Sequence, residues 1–252
     1  MRSGAAYNYT VRSYGPISTT PRLALYALVP AAGTGSRIAS GRPKQYLALA
    51  GRPMLWHSVR ALCAAAIETV FVVLAPDDVE FAQHDWSALE ARVEPLYCGG
   101  ATRRDSVFNG LVAASAAVDA DDWMLVHDAA RPCLPRADLE LLIGECGADA
   151  IGALLALPIA DTVKRAGKDE AGVQRVTGTE DRTQLWLAQT PQMFRAGLLA
   201  QALRAARGAV TDEASAIEQL GLRPRLVTGS RENLKVTFAE DLAIAAAILE
   251  RR

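Results

Sequence analysis

Short apolar runs alternate with segments of helical periodicity along most of this chain, and the alternation limits the folds that it can adopt. The runs are continuous rather than alternating, as in strands covered on both faces, and they occupy residues 25–29, 69–75, 123–127 and 150–157. A weaker strand candidate covers residues 93–98. Apolar residues recur at helical spacing in residues 53–66, 104–117 and 138–146. This order predicts an α/β fold with a mostly parallel twisted sheet and helices on both faces.

The alternation stops in the second half of the chain. Residues 159–186 are polar, contain several glycines and lack a helical period, which predicts a β-hairpin or an arm that leaves the main body. After this segment, we predict helices at residues 195–207, 211–220 and 238–251, with an extended stretch at 225–227. We therefore expect a single domain over residues 23–252 from which the arm protrudes.

The first 22 residues differ from the rest in composition. They contain three arginines and no acidic residue, and they are rich in serine, threonine, tyrosine and glycine. A transit peptide has a similar composition, but this segment is short and not amphipathic, and it lacks the apolar core of a secretory signal. We expect a disordered extension or a start codon assigned too far upstream.

Composition excludes several classes of function. The net charge of −1 among 252 residues is unlike that of a nucleic-acid-binding domain. The longest apolar runs are far shorter than the ~18 residues that cross a bilayer, so no membrane association is expected. Four cysteines lie far apart without a CxxC pair, which argues against a zinc site or a disulfide framework and favours the cytoplasm.

A glycine-containing loop, PAAGTGSR, follows the first predicted strand at residues 30–37. Gly33 and Gly35 allow a tight turn, and the main-chain N–H groups of such a turn favour anions. The spacing matches neither the dinucleotide fingerprint nor the P-loop. A tight turn with a solvated arginine is the simpler interpretation. However, Lys44 follows closely in PKQY, so Arg37 and Lys44 can converge on one polyphosphate and stabilise a phosphoryl-transfer transition state.

Two further motifs lie after predicted strands. In VHDAARP, Asp128 occupies the carboxyl end of a central strand, where open α/β sheets bind ligands. It could hold Mg²⁺, or it could cap the following turn. We interpret His127 as structural, because successive side chains of a strand point to opposite faces. The other motif, GGATRRDS at residues 99–106, could contact a base or a ribose, or could simply cap a helix.

The motifs together resemble the 2-C-methyl-D-erythritol 4-phosphate cytidylyltransferase family of the non-mevalonate isoprenoid pathway. The matching segments occur in family order over residues 28–237, and they are PAAGTGSR, PKQY, GG…R-x-D-S-V, VHDAARP, DTVKR, DR…LW, QTPQ, TDEAS and N-x-KVT. The resemblance implies a Rossmann-like nucleotidyltransferase fold and a homodimer formed through the arm. It also implies CTP and Mg²⁺, with CMP transferred to the phosphate of methylerythritol phosphate and pyrophosphate released.

The resemblance also implies roles for individual residues. Arg37, Lys44 and Lys235 would neutralise the CTP phosphates and the transition state, and Asp128 would bind Mg²⁺. The remaining residues would contact the substrates. Those at the cytidine would be Ala31, Ala32, Gly33, Gly100 and Ser106, and those at the methylerythritol phosphate would be Thr162, Arg182, Thr190, Thr211 and Arg131. Arg182 would reach in from the partner's arm, so that each active site would be shared between two chains.

One position departs from the family pattern, and two other functions stay open. After the double glycine the family often has an acidic residue near the base, whereas this chain has Ala101, which makes the preference for CTP less secure than phosphate binding. Ribitol 5-phosphate cytidylyltransferases share the PKQ and HDA-RP motifs, although DTVKR and TDEAS favour the methylerythritol enzyme. A nucleotide-sensing module without catalysis would have no use for the cations that surround a leaving group.

Overall fold

A computed structural model describes residues 23–33, 42–89 and 92–252 of the chain. The strands are β1 (Leu25–Pro30), β2 (Ala48–Leu49), β3 (Arg52–Pro53), β4 (Val70–Val73), β5 (Val93–Leu96), β6 (Trp123–Val126), β7 (Gly152–Pro158), β8 (Val163–Lys168), β9 (Gln174–Glu180), β10 (Trp186–Arg195) and β11 (Arg225–Thr228). The helices are α1 (Met54–Leu62), α2 (Arg103–Ala114), α3 (Arg136–Gly147), α4 (Ala196–Ala205), α5 (Glu213–Glu218) and α6 (Ala239–Glu250).

Seven strands form one sheet in the order β11-β7-β10-β6-β1-β4-β5. Neighbouring strands are parallel except at β10, which runs antiparallel to both β6 and β7. The prediction of a mostly parallel sheet is therefore confirmed. Strands β1 and β6 are parallel neighbours, so the loops after them lie at the same edge of the sheet, where parallel sheets commonly bind ligands.

Both faces of the sheet are covered by helices, as predicted. Side chains of successive strand residues alternate between the faces, so that Ala27 and Val29 join one buried cluster and Leu28 joins the other. Helices α1 and α3 pack on the first face, and α2, α4 and α5 pack on the second. Helix α6 packs in a smaller cluster with Leu49 and Met54. No helix within the described residues has the length and apolar character needed to cross a membrane.

Strand β10 was missed by the sequence prediction, which placed no strand between the arm and the helix predicted at residues 195–207. Three polar residues, Gln189, Thr190 and Gln192, interrupt its apolar pattern. All three are buried, and the structure satisfies their side chains with hydrogen bonds to other segments. Periodicity could not reveal a strand whose buried polar groups find partners only in the folded state.

The predicted arm is a β-hairpin. Strands β8 and β9 pair antiparallel in a two-stranded sheet that is separate from the main one. No residue between positions 157 and 188 is buried. The hairpin is therefore an exposed element that lies apart from the core of the domain.

Candidate active site

A cavity of about 440 Å³ opens beside the carboxyl ends of β1 and β6. All five residues predicted to contact the nucleotide line it, and they are Ala31, Ala32, Gly33, Gly100 and Ser106. The predicted metal ligand Asp128 and the predicted catalytic residues Lys44 and Lys235 line it as well. The remaining predicted catalytic residue, Arg37, lies outside the described residues. Segments that are far apart in sequence thus meet at one edge of the sheet.

Gly99 allows the second glycine segment to approach the first, and Gly100 allows the tight turn within the second. A Cβ at Gly99 would collide with the Cβ of Ala32, and one at Gly100 would collide with the side chain of Asp105. The segment then opens α2, whose N-cap is Thr102 in a reciprocal capping box with Asp105. The helix-cap interpretation is therefore correct, and the same turn also lines the cavity.

Ser106 fixes the shape of this turn. Its hydroxyl accepts a hydrogen bond from the Gly100 main-chain N–H at 3.1 Å and donates to the Thr102 carbonyl at 3.0 Å. The side chain is nearly fully buried. Both bonds stay within the turn, so Ser106 contributes to the cavity by holding the backbone that lines it.

Lys44 is held over the cavity by its neighbours. It begins a single 3₁₀ turn, Lys44–Tyr46, and its Nζ donates to the Val236 carbonyl at 2.7 Å. The buried Gln45 amide donates to the Ala31 carbonyl at 2.7 Å, and the Tyr46 hydroxyl donates to Asp78 Oδ2 at 2.8 Å. These two bonds tie the turn to the first glycine loop and to the segment after β4.

Asp128 lies at the centre of a group of three cations. Its Oδ1 is 3.0 Å from Nη2 of Arg103, and its Oδ2 is 2.8 Å from Nζ of Lys235 and 3.8 Å from Nε of Arg131. Burial by itself would raise the pKa of this carboxyl, but Arg103 and Lys235 outweigh burial and hold its pKa well below the usual range. Asp128 is therefore a carboxylate at any physiological pH.

The donor set at this position suits a cation that takes most of its ligands from elsewhere. Asp128 is the one acidic residue among the described residues that line the cavity. Within the described parts of the chain, no three His, Cys, Asp or Glu side chains form a cluster that could enclose a metal. Mg²⁺ commonly uses one or two protein carboxylates together with substrate phosphates and water, and Asp128 can supply that single carboxylate.

A second, smaller cavity of about 210 Å³ adjoins the first. Arg103, Asp128 and Lys235 line both cavities, and the predicted sugar-phosphate residues Arg131, Thr190 and Thr211 line only the second. The three charged residues that the cavities share form the boundary between them. Groups bound on the two sides would meet at this boundary.

Arg131 and Thr190 also serve the structure around this cavity. Arg131 donates from Nη1 to the Asn233 carbonyl at 2.6 Å, so it ties the loop after β6 to the segment that carries Lys235. The Thr190 hydroxyl accepts from the Asp128 main-chain N–H at 2.9 Å and lies 3.1 Å from Nδ1 of His127.

His127 is structural, as the sequence predicts. Its side chain is fully buried, its Nε2 lies 3.0 Å from the Arg131 carbonyl, and burial lowers its pKa to about 4. The carbonyl can only accept, so the Nε2 atom carries the proton and the Thr190 hydroxyl donates to Nδ1. His127 therefore takes the hydroxyl proton of Thr190, which leaves the Thr190 oxygen to accept from the Asp128 main-chain N–H.

Two predicted substrate residues lie apart from both cavities. Thr162 and Arg182 are exposed at the base of the arm, where Arg182 donates a hydrogen bond to the Ala160 carbonyl. Neither residue lines the cavities of its own chain. Their predicted roles require a second chain.

Arg103 and Glu213 are site residues that the sequence prediction missed. In the sequence Arg103 belongs to the GGATRRDS motif and Glu213 to the TDEAS motif, and neither residue has a predicted role. Glu213 is 1% exposed, and its Oε1 accepts from Nη1 of Arg103 at 2.6 Å. The two residues are 110 positions apart, so no local pattern could pair them.

Comparisons with known proteins find that this chain is similar to one family. A family model described as IspD, 2-C-methyl-D-erythritol 4-phosphate cytidylyltransferase, matches residues 25–251. A protein of that name from Laribacter hongkongensis is 60% identical over 88% of this chain and 95% of its own length. Another from Dechloromonas aromatica is 56% identical over 90% of this chain and 98% of its own length.

Solved structures have the same fold. A crystal structure of a 4-diphosphocytidyl-2C-methyl-D-erythritol synthase is 39% identical, covers 90% of this chain and 99% of its own, and has a TM-score of 0.77. The 2-C-methyl-D-erythritol 4-phosphate cytidylyltransferase of Thermus thermophilus is 31% identical, covers 91% of this chain and 100% of its own, and has a TM-score of 0.71.

Proposed function

The chain belongs to the 2-C-methyl-D-erythritol 4-phosphate cytidylyltransferase family, and we propose that its two adjoining cavities carry out the reaction that this name describes. The enzyme transfers CMP from CTP to 2-C-methyl-D-erythritol 4-phosphate in isoprenoid precursor biosynthesis. The products are 4-diphosphocytidyl-2-C-methyl-D-erythritol and pyrophosphate. The observation that carries the proposal for the site is that Asp128, Lys235 and Arg103 line both cavities, where two phosphate-bearing substrates would meet.

The reaction is a displacement at phosphorus. A phosphate oxygen of the methylerythritol phosphate forms a bond to the α-phosphorus of CTP, and the bond from that phosphorus to the bridging oxygen of pyrophosphate breaks. A phosphate monoester is largely ionised at neutral pH, so its oxygen is nucleophilic without a general base. No histidine lines either cavity among the described residues, in keeping with this chemistry. Catalysis then consists of positioning the reactants and neutralising their charge.

The larger cavity is the proposed CTP site. The backbone of Ala31, Ala32 and Gly33 holds the nucleotide on one side, and the turn of Gly100 and Ser106 holds it on the other. Lys44 and Lys235, together with Arg37, neutralise the phosphates and the charge that grows as pyrophosphate leaves. Asp128 would hold Mg²⁺, which when bound neutralises phosphate oxygens and keeps them in a fixed arrangement.

The smaller cavity is the proposed site of methylerythritol phosphate. Arg131 and Lys235 give it positive charge, and the exposed Thr211 and the buried Thr190 line its wall. The phosphate of the substrate must reach the boundary at Asp128 if it is to attack the nucleotide. Positive charge on both sides of this boundary favours the approach of two anions that would otherwise repel one another.

A second copy of the chain completes the site in this proposal. Residues 157–188 contain no buried residue, and Leu185, Trp186 and Leu187 are exposed apolar side chains at the base of the arm. Pairing two arms in a homodimer would cover this surface and bring Thr162 and Arg182 of one chain to the cavity of its partner.

We also place the enzyme in the cytoplasm, with small-molecule substrates and neither nucleic acid nor membrane as a partner. All four cysteines are free thiols, and Cys133 and Cys146 are buried. This state suits a reducing compartment. The net charge of −1 supports the absence of a nucleic-acid partner.

Release of pyrophosphate tests the function directly. Purified protein is mixed with CTP, Mg²⁺ and either methylerythritol phosphate or ribitol 5-phosphate, and pyrophosphate is measured. Release with methylerythritol phosphate is the expected result. Release with ribitol phosphate alone would identify the related ribitol enzyme, and no release with either would favour a nucleotide-sensing module. Repeating the assay with UTP tests whether Ala101 in the base-binding turn has weakened the preference for cytosine.

A further inference from the structure

Arg103 is held at both ends of its guanidinium group. On one side Nη1 and Nη2 donate to Oε1 and Oε2 of Glu213 at 2.6 and 3.0 Å. On the other side Nε donates to Oδ1 of Asp128 at 3.1 Å. The first pair is bidentate, the geometry in which a carboxylate fixes both the position and the plane of a guanidinium group.

The buried carboxylate of Glu213 is not needed to attach α5 to the sheet. The N-terminus of α5 is capped by Asp212, whose side chain accepts from the Ser215 main-chain N–H. Gln192 of β10 joins the same helix twice, because its Oε1 accepts from Ala214 N–H at 2.7 Å and its Nε2 donates to Asp212 at 2.8 Å. Burying a further charge costs free energy unless it is paired, and a residue with an apolar side chain could fill the space.

The ion pair with Glu213 limits how the Arg103 side chain can turn at the two cavities. Arg103 lines both of them, and its side chain keeps 29% of its surface exposed although its partner Glu213 is 1% exposed. An arginine side chain with one carboxylate neighbour could rotate to form a bidentate pair with Asp128 alone. Glu213 opposes this rotation, because it binds both terminal nitrogens, although Nη2 also lies 3.0 Å from Oδ1 of Asp128.

We propose that Glu213 is a positioning residue whose buried carboxylate orients Arg103 toward the phosphate groups that meet at the boundary of the two cavities. Arg103 in this orientation holds its positive charge beside the phosphoryl oxygens of the bound substrates, and Glu213 touches neither substrate. This inference rests on the proposed function, because the phosphate groups that Arg103 would face are those of the two substrates of CMP transfer.

Glu213→Gln is the decisive variant, since it keeps the shape of the side chain and removes its charge. We expect kcat to fall roughly 10- to 100-fold, the scale of a misplaced catalytic contact, with little change in the KM for CTP. Arg103→Lys keeps a positive charge but cannot form the bidentate pair, so a similar loss of kcat is expected. Glu145→Gln is the matched control. It removes the charge of a glutamate that pairs with Arg225, and neither of these residues lines a cavity of the site.

A double-mutant cycle separates positioning from a purely structural role. If Glu213 acts through Arg103, then the Glu213→Gln/Arg103→Lys protein should have about the same kcat as either single variant. Thermal unfolding is measured on all four proteins. Multiplied losses of kcat, or a wild-type kcat in either single variant, would overturn the inference. If Glu213→Gln does not fold, a wild-type kcat in Arg103→Lys overturns it by itself.

The failure of this inference differs from the failure of the proposed function. A wild-type protein that releases no pyrophosphate from either sugar phosphate refutes the function. A wild-type protein that is active, together with a Glu213→Gln variant of unchanged kcat, refutes only the positioning role.

Discussion

The Nζ atom of Lys44 lies 2.7 Å from the carbonyl oxygen of Val236, 192 residues further along the chain. Val236 follows Lys235, whose own Nζ is 2.8 Å from Oδ2 of Asp128. The bond therefore brings together the two lysines that the sequence predicts to be catalytic. Both face the cavity in which the CTP phosphates are proposed to bind.

Lys44→Ala tests the first of these lysines. We expect kcat to fall by a factor of roughly 10² or more, because the variant loses a charge that stabilises the transition state. Steady-state kinetics of pyrophosphate release measures the effect. Arg207→Ala, which removes an exposed cation outside the arm and outside both cavities, is the control and should retain activity. A Lys44→Ala enzyme with near wild-type turnover would remove Lys44 from the catalytic residues.

Thr190 can be tested by comparing Thr190→Val with Thr190→Ser. Valine cannot accept from the Asp128 main-chain N–H, so this buried group loses its partner and Asp128 is less well held. We expect kcat to fall about tenfold or more in Thr190→Val and to be largely restored in Thr190→Ser. Should the KM for methylerythritol phosphate rise in Thr190→Val while kcat stays unchanged, substrate contact would be the whole role of Thr190.

Mixed dimers test whether each active site is shared between chains. Arg182→Ala and Lys44→Ala chains should each be nearly inactive by themselves with methylerythritol phosphate. In a mixed dimer one site receives an intact Lys44 from one chain and an intact Arg182 from the other, so up to half of the sites can function. Co-purified mixed dimers with no more activity than either parent would contradict the shared site.

The pH dependence of stability can be predicted at His57. This residue is buried in α1, its Nε2 lies 2.7 Å from the Leu49 carbonyl, and burial lowers its pKa below the ordinary value of about 6.5. The folded state thus prefers the neutral ring. The stability that His57 contributes is present above pH ~6.5 and is lost as the pH falls through the lower pKa of the folded state.

Urea unfolding at several pH values between 5 and 8 measures this effect. The free energy of unfolding of the wild type should fall more steeply toward low pH than that of His57→Gln, which cannot take up the proton. Parallel curves for the wild type and His57→Gln would show that His57 does not contribute to the pH dependence.

Arg92→Ala should destabilise the fold without affecting the active site directly. The Arg92 guanidinium group donates to the carbonyls of Cys63, Ala65 and Ile67 after the end of α1. Loss of these charged hydrogen bonds leaves part-buried carbonyls unsatisfied and should lower the free energy of unfolding by about 2 to 4 kcal/mol. Chemical denaturation measures the loss, with the exposed Arg207→Ala as the control. A change of less than about 0.5 kcal/mol, the usual range of a surface substitution, would contradict the capping role.

Local pattern was sufficient for most of the sheet. Continuous apolar runs located β1, β4, β6 and β7, because a strand buried on both faces leaves that signature in any sequence. Local pattern was insufficient for β10, because the buried polar residues Gln189, Thr190 and Gln192 interrupt its apolar sequence. Helix α1 ends at Leu62 although the predicted period continued to residue 66, and the Cys63 carbonyl after its end accepts a hydrogen bond from Arg92.

The sequence by itself determined which residues carry charge and which turns can approach a phosphate, because these properties depend on residue type and local spacing. Only the tertiary structure decided which charges meet. Asp128 faces Arg103 and Lys235 because the order of the strands places β6 beside β1 and brings the turn before α2 and the segment before α6 to the same edge of the sheet. Glu213 lies against Arg103 because α5 and α2 pack on one face. Such pairings depend on strand order and helix packing, which no local spacing encodes.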